Sequence, residues 1–295
     1  MMTRIDENAP VLQSRTSQQL SHNTGGTAWS LQSSRPRRRS SNRPKGLSPL
    51  DYLHTDDEPR TSVFADFVRR TENVADALIL SNIHYWMSET TSGPHKGNPR
   101  SHYVEKDGDH WLPKTARQHA LDTGLSLQQV HRAMRRLTSS GWIEKVVWIR
   151  ESVRMLHIRF QPKFYELTVA TQGVLVYGNL VRMTPSTEAA ITLAQICYWL
   201  GDGGRGKSRL GVLKKGDWWL ATTHAELAQQ TGLAERSVRS AIDRLACLGL
   251  IVKKAFRFNC LPTTHIRFDL DVFCQKWNES ALRAFQLEQE LESQV

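Results

Sequence analysis

Apolar residues recur along this chain at two spacings, and the alternation runs through twice. Ala75, Leu78, Ile79, Ile83 and Trp86 fall three and four apart, which gathers them on one face of an α-helix. That spacing predicts a helix from about Glu72 to Ser88 and another from Pro185 to Leu200. Thr184 suits the N-cap of the second, and Pro185 its first position, where a missing N–H costs nothing. Short strands are expected at Trp111-Leu112 and Trp218–Leu220. The next helices open on Thr115-x-x-Gln118 and Thr223-x-x-Glu226, both capping-box patterns, and stop at Gly124 and Gly232. Third helices follow Leu125 and Leu233. They turn Val130, Ala133, Met134 and Leu137 inward, and Val238, Ala241, Ile242 and Leu245 likewise, and they end at Gly141 and Gly249. Two strands then make a hairpin each time: Trp142–Trp148 with Met155–Phe160, and Leu250–Phe258 with Thr264–Leu270. A last helix spans about Asp271–Ser293. It either caps the second copy or pairs with a second subunit, which makes a homodimer one expectation.

The repetition is a duplication. An offset of 113 carries Thr61–Thr71 onto Val174–Thr184, and Ile83-His84-Tyr85-Trp86 onto Ile196-Cys197-Tyr198-Trp199. A shorter loop then reduces the offset to 108. On that register Thr123-Gly124-Leu125 meets Thr231-Gly232-Leu233, and His157-Ile158-Arg159-Phe160 recurs unchanged as His265-Ile266-Arg267-Phe268. Copies of this size are domains rather than turns of a solenoid. The divisions expected are a tail at 1–58, a first domain at 59–168, a second at 169–279 and a helical tail at 280–295.

Helix, strand, helix, three-residue turn, helix and hairpin is the order of a winged helix-turn-helix. Ile-His-Tyr-Trp and Ile-Cys-Tyr-Trp lie on the first helix, and Thr-Gly-Leu at the turn. The third helix runs out as Leu-x-x-x-Gly-x-Ile. On these residues the chain resembles the winged-helix domains of phage replisome organisers and plasmid replication initiators, and the wider set of winged-helix transcription regulators. The resemblance covers about two thirds of the chain. It implies a winged-helix fold for each copy; with the duplication and the composition of residues 1–58, the fold expected is α+β, mainly α, two tandem winged helices after a disordered basic N-terminal tail. It also implies sequence-specific binding of double-stranded DNA, in replication initiation of a mobile element or in transcription regulation, beside the machinery of either process.

Charge agrees with that expectation. Lys and Arg number 39 against 29 Asp and Glu, a net +10, so a polyanion is the natural partner. The residues are 39% hydrophobic, enough to build cores and to exclude a wholly disordered chain. Residues 1–58 are the exception, rich in Ser, Gln, Asn and Arg. They carry Arg35-Pro36-Arg37-Arg38-Arg39, then Arg43 and Lys45, with no acid between. Such a run grips phosphate without reading sequence, or simply solubilises the chain.

In a helix-turn-helix the third helix enters the major groove. Its outward residues here are Ser126, Gln128, Gln129, His131, Arg132, Arg135 and Arg136, and no acid occurs from Ser126 to Gly141. Gln pairs bidentately with adenine and Arg with guanine. The second copy offers Arg236, Ser237, Arg239, Ser240 and Arg244, but also Glu235 and Asp243. Asp243 stands four residues after Arg239 and is expected to pair with it. The first copy is therefore the expected stronger reader. The hairpins add Lys145, Arg150 and Arg154, and Lys253, Lys254 and Arg257, as phosphate contacts. Trp148 and Phe256 are expected to pack the hairpins. His95, Lys96 and Arg100, with Arg205, Lys207, Arg209, Lys214 and Lys215, add loop cations.

One motif points elsewhere. Gly201-Asp202-Gly203-Gly204-Arg205-Gly206-Lys207-Ser208 satisfies G-x-x-x-x-G-K-S, the pattern of a nucleotide-binding loop. That chemistry needs a strand entering and a helix leaving, whereas here a helix is expected to enter and the run that leaves, broken at Gly211 and Gly216, is no long helix. Cys197, Cys247, Cys260 and Cys274 show no C-x-x-C pair and are expected to be buried thiols. No metal, cofactor or catalytic group is expected, and the protein is read as a non-enzyme. No apolar run approaches the ~18 residues of a membrane span, and the N-terminus lacks the apolar core of a secretory signal. A cytoplasmic, nucleoid-associated protein is expected. A tandem winged-helix scaffold that binds protein is the rival reading.

Overall fold

The computed structural model describes residues 59–88, 103–150, 153–166, 173–201, 211–214, 216–258 and 261–292. Over these residues the chain is α+β, more helical than extended, with antiparallel sheets. The first copy runs β1 (Arg60–Val63), α1 (Ala65–Thr71), α2 (Val74–Met87), β2 (Val104–Lys106), β3 (Asp109–Pro113), α3 (Ala116–Thr123), α4 (Leu127–Ser139), β4 (Ile143–Arg150) and β5 (Val153–Phe160). The second repeats that order as β6 (Val174–Tyr177), α5 (Gly178–Met183), α6 (Thr187–Leu200), β7 (Gly211–Lys214), β8 (Asp217–Ala221), α7 (His224–Thr231), α8 (Glu235–Cys247), β9 (Ile251–Phe258) and β10 (Leu261–Phe268). A long helix, α9 (Leu270–Glu292), follows, and it is unbroken across the division expected at 279/280.

The helix starts are fixed by small polar side chains. Thr115 Oγ1 accepts from Gln118 N while Gln118 Oε1 accepts from Thr115 N, and Thr223 and Glu226 do the same. These boxes satisfy amide groups that the first helical turn leaves open. Three hydrogen bonds hold the Glu226 carboxyl below its usual range against the opposing effect of burial, the backbone N–H of Thr223 most strongly and the hydroxyls of Thr222 and Thr223 after it. The inward stripe of α4 is buried, as is that of α8.

Other boundaries differ from expectation. The helix foreseen from Pro185 begins at Thr187, with Ser186 Oγ accepting from Ala189 N at 3.2 Å. Thr184 instead donates its hydroxyl to Leu180 O at 2.8 Å, closing the short helix α5. Likewise Glu72 ends α1 in the left-handed region, and Asn73 caps α2 by accepting from Ala75 N and Asp76 N. α1 and α5 are too short for a readable period, so each merged with the helix after it.

Equivalent contacts recur at equivalent positions. Trp86 Nε1 donates to Asp122 Oδ2 at 2.6 Å and Asn82 Nδ2 to the same oxygen at 3.1 Å, joining α2 to α3. In the second copy Trp199 Nε1 and Gln195 Nε2 donate to Gln230 Oε1 at 2.7 and 2.9 Å. The first latch is charged, with Lys114 Nζ 3.0 Å from Asp122; the second is neutral. The repeated His-Ile-Arg-Phe segment is structural. His157 and His265 set Nδ1 against Met155 O and Thr263 O, while Arg159 and Arg267 pair with Asp109 and Asp217.

The two copies meet through reciprocal contacts. β1 and β6 pair antiparallel, with Ser62 opposite its own counterpart Leu175. Arg182 Nη2 donates to Leu121 O at 2.6 Å, and the equivalent Arg69 Nη2 donates to Gln229 O at 2.9 Å. Gly124 lies on the first residue of α5, Gly178, and Gly232 lies on the first residue of α1, Ala65. Each contact appears twice with the copies exchanged, the signature of an isologous two-fold interface within one chain. Buried apolar side chains from both copies form one continuous cluster.

Gly124 and Gly232 have φ of 74° and 76°, and a Cβ on either would fall 2.1 or 2.2 Å from a backbone carbonyl oxygen. Gly141 has φ of 71°, but a Cβ there meets nothing within 4 Å. Gly141→Ala should therefore cost only the left-handed penalty, about 1–2 kcal/mol. Gly124→Ala and Gly232→Ala should cost clearly more, because the copies must separate. Denaturant midpoints of the three variants check this order.

His119 is fully buried, with Nδ1 2.7 Å from Asn82 Oδ1. Burial, with a smaller push from the Lys114 charge, lowers its pKa from 6.5 to about 3. The unfolded chain therefore takes up the proton first as pH falls. This contribution to stability is complete above pH 6.5 and drains away between 6.5 and about 3. The second copy has Leu227 at this place. His119→Leu should flatten the stability–pH curve over that window, measured by denaturant unfolding at several pH values.

Candidate nucleic-acid interface

α4 divides its surface cleanly. Val130, Ala133, Met134 and Leu137 are buried, so Gln128, His131, Arg132 and Arg135 are exposed on the other side. Lys145 of β4 joins them, and with Leu127 they line one shallow groove of about 790 Å³. Among the described residues none of these five polar side chains holds an ion pair or hydrogen bond.

Three other candidates on α4 are committed elsewhere. Ser126 is the N-cap of α4, its Oγ accepting from Gln129 N at 3.2 Å, while Gln129 Oε1 accepts from Ser126 N at 2.8 Å. The Ser-x-x-Gln signature of this box is present in the sequence. Arg136 is held by Asp76 of α2 in a two-pronged pair, Nε to Oδ2 at 2.8 Å and Nη2 to Oδ1 at 2.6 Å. The Asp76 side chain is 4% exposed and that of Arg136 is 45% exposed. Burial pushes the Asp76 carboxyl up more than Arg136 pulls it down, and the bond to Asp76 raises the Arg136 guanidinium. Nothing local in the sequence marks this pair, whose members lie 60 residues apart.

On α8, Arg236, Arg239, Ser240 and Arg244 are exposed and Ser237 is half-buried. The first four share a groove of about 910 Å³ with Pro185, Glu235 and Asp243. The expected Asp243–Arg239 pair is not formed. Arg239 reaches Glu235 at 3.5 Å, and Asp243 pairs with Lys253 of β9, which is closer across the helix–hairpin junction. Ala189 stands where the first copy has Asp76, and Arg244, the counterpart of Arg136, has no partner among the described residues.

The hairpins are regular, with Ile149 opposite Arg154 and Arg257 opposite Pro262. Arg154, Lys253, Lys254 and Arg257 are exposed, and Lys254 lies 5.8 Å over Trp219. Of Arg150 only the backbone is described. Trp148 packs on Trp111 and His157, and Phe256 on Trp219 and His265.

Residues 1–58, His95, Lys96, Arg100, Arg205, Lys207, Arg209 and Lys215 lie outside the described residues, as does the Gly201–Ser208 motif beyond Gly201. The flanks of that motif are described: helix α6 precedes it and strand β7 follows. This is the opposite of strand–loop–helix. Cys247 is exposed rather than buried, because its position on α8 faces away from the inward stripe; Cys197 is buried and Cys274 partly so, and Cys260 lies outside the described residues. Among the described residues no helix is long and apolar enough to cross a membrane.

No family model, curated protein or solved structure matches this chain.

The division of α4 into committed and uncommitted cations is measurable. Arg136→Ala strands a buried carboxylate and should cost about 2–3 kcal/mol, the low end for a broken pair because water reaches the guanidinium. Asp76→Ala should cost less, since it removes the buried charge itself. Arg132→Ala should stay within about 0.5 kcal/mol of the parent. Urea unfolding of the three variants reads the order.

Proposed function

We propose that this protein is a tandem winged-helix, sequence-specific binder of double-stranded DNA without catalytic activity. It acts in replication initiation of a mobile element or in transcription regulation. The observation that carries this reading is the acid-free groove of α4. Gln128, His131, Arg132, Arg135 and Lys145 stand together on an exposed face, with no ion-pair or hydrogen-bond partner among the described residues. A solvated helix face usually intersperses both signs of charge, whereas this one sets amide and guanidinium donors side by side. In this reading α4 and α8 are the recognition helices and the β4–β5 and β9–β10 hairpins are the wings. Arg132, Arg135 and Gln128 read base edges, and Lys145 and Arg154 hold phosphate. Arg136 is a positioning residue that fixes the angle of α4 on α2.

A second reading rests on one other feature. An apolar groove of about 620 Å³ lies between the copies beside the start of α4, lined by Leu121, Leu125, Leu127, Val181 and Leu287. A helix or loop of a protein partner seated there would make the chain a scaffold.

Affinity for duplex DNA across a salt series separates the two. DNA binding predicts a steep fall with salt. Arg132→Ala with Arg135→Ala should weaken binding to a selected site by about 1–3 kcal/mol for each base contact removed, with folding unchanged. Equal binding by the double variant would move the interface off α4.

A further inference from the structure

The contacts between the copies say how a duplex would be met, granted the DNA-binding reading above. Apart from the Gly178 N–H, which donates to Pro59 O at 3.0 Å, the contacts named across the seam come in exchanged pairs. Arg182 reaches the carbonyl of Leu121, and Arg69 that of Gln229. Gly124 touches Gly178, and Gly232 touches Ala65. Ser62 faces its own counterpart in the β1–β6 pair, so the local two-fold passes between Ser62 and Leu175. α4 and α8 are therefore related by rotation about that axis, not by translation along the chain. A rotated pair of readers meets a duplex as two chains of a symmetric dimer would, on half-sites of opposite polarity.

We infer that one chain, as a monomer, binds one DNA site of inverted symmetry, with each copy on one half. The halves are unequal because the faces are. Among the described residues α4 offers Gln128, His131, Arg132 and Arg135 unpaired, whereas α8 offers Arg236 and Arg244, with Arg239 tied to Glu235. The close-packed seam leaves the copies little freedom to reorient. A direct repeat therefore presents one half-site backwards to its reader.

The test uses the full chain. Duplexes are selected from a random library by repeated binding, the enriched motif is read, and the complex is weighed by analytical ultracentrifugation. The expected motif is an imperfect inverted repeat with half-site centres about 10 base pairs apart or a multiple of that. One chain should be bound per site. Reversing either half in place should weaken binding about tenfold or more, as scrambling it does. Arg132→Ala should relax sequence preference in one half and Arg236→Ala with Arg244→Ala in the other. A direct repeat, a single half-site or two chains per site would overturn the inference while leaving DNA binding intact. Retention of no duplex at any salt concentration would overturn both.

Discussion

The architecture depends on two places where backbone touches backbone across the seam between the copies. At Gly124 on Gly178, and at Gly232 on Ala65, a helix ends in the left-handed conformation against the first residue of a helix in the other copy. Only glycine satisfies both demands, since a Cβ would be strained by the backbone angle and would collide with a carbonyl oxygen. The same residues open the tight turn that launches α4 or α8. One constraint therefore ends the second helix, sets the turn and locks the copies together, and so fixes where both outward faces stand.

On that frame, polar groups divide into those that hold the structure and those that are left over. Asp122, Gln230, Arg159, Arg267, Arg136 and Asp76 are consumed in joining elements within a copy, and Arg69 and Arg182 in joining the copies. What remains on α4 is a row of donors with no partner among the described residues, beside a lysine from the hairpin. A basic surface alone says little about partners. A basic surface sorted into satisfied and unsatisfied groups says more, because the satisfied ones already have a structural reason to be there. The second copy shows this by contrast. Losing the carboxylate at Ala189 releases Arg244, while gaining Glu235 and Asp243 occupies Arg239 and Lys253.

Much of the fold was legible along the chain because its signals are local and occur twice. The Thr-x-x-Gln and Thr-x-x-Glu boxes, the glycine stops and the inward stripes of α4 and α8 each lie within a few residues of one another. The misses have physical reasons. α1 and α5 hold seven and six residues, less than two turns, and show no period of their own. Ser126 and Gln129 face outward by helical phase, as DNA-reading residues would, yet their spacing also spells a cap. Arg136 points outward by helical phase, yet a carboxylate 60 residues earlier captures it, and no window along the sequence contains both. The apposition of the copies was likewise out of reach, although Gly178 and Ala65 matched one another in the alignment.

The central claim is that the uncommitted side chains of α4 are those that meet DNA. Arginine-selective chemical labelling of the folded protein, with and without a saturating selected duplex and read by peptide mass, tests it most directly. The account predicts that duplex shields Arg132 and Arg135 while labelling of Arg136, already held by Asp76, stays low and unchanged. Unaltered labelling of Arg132 and Arg135 in the presence of bound duplex would contradict it.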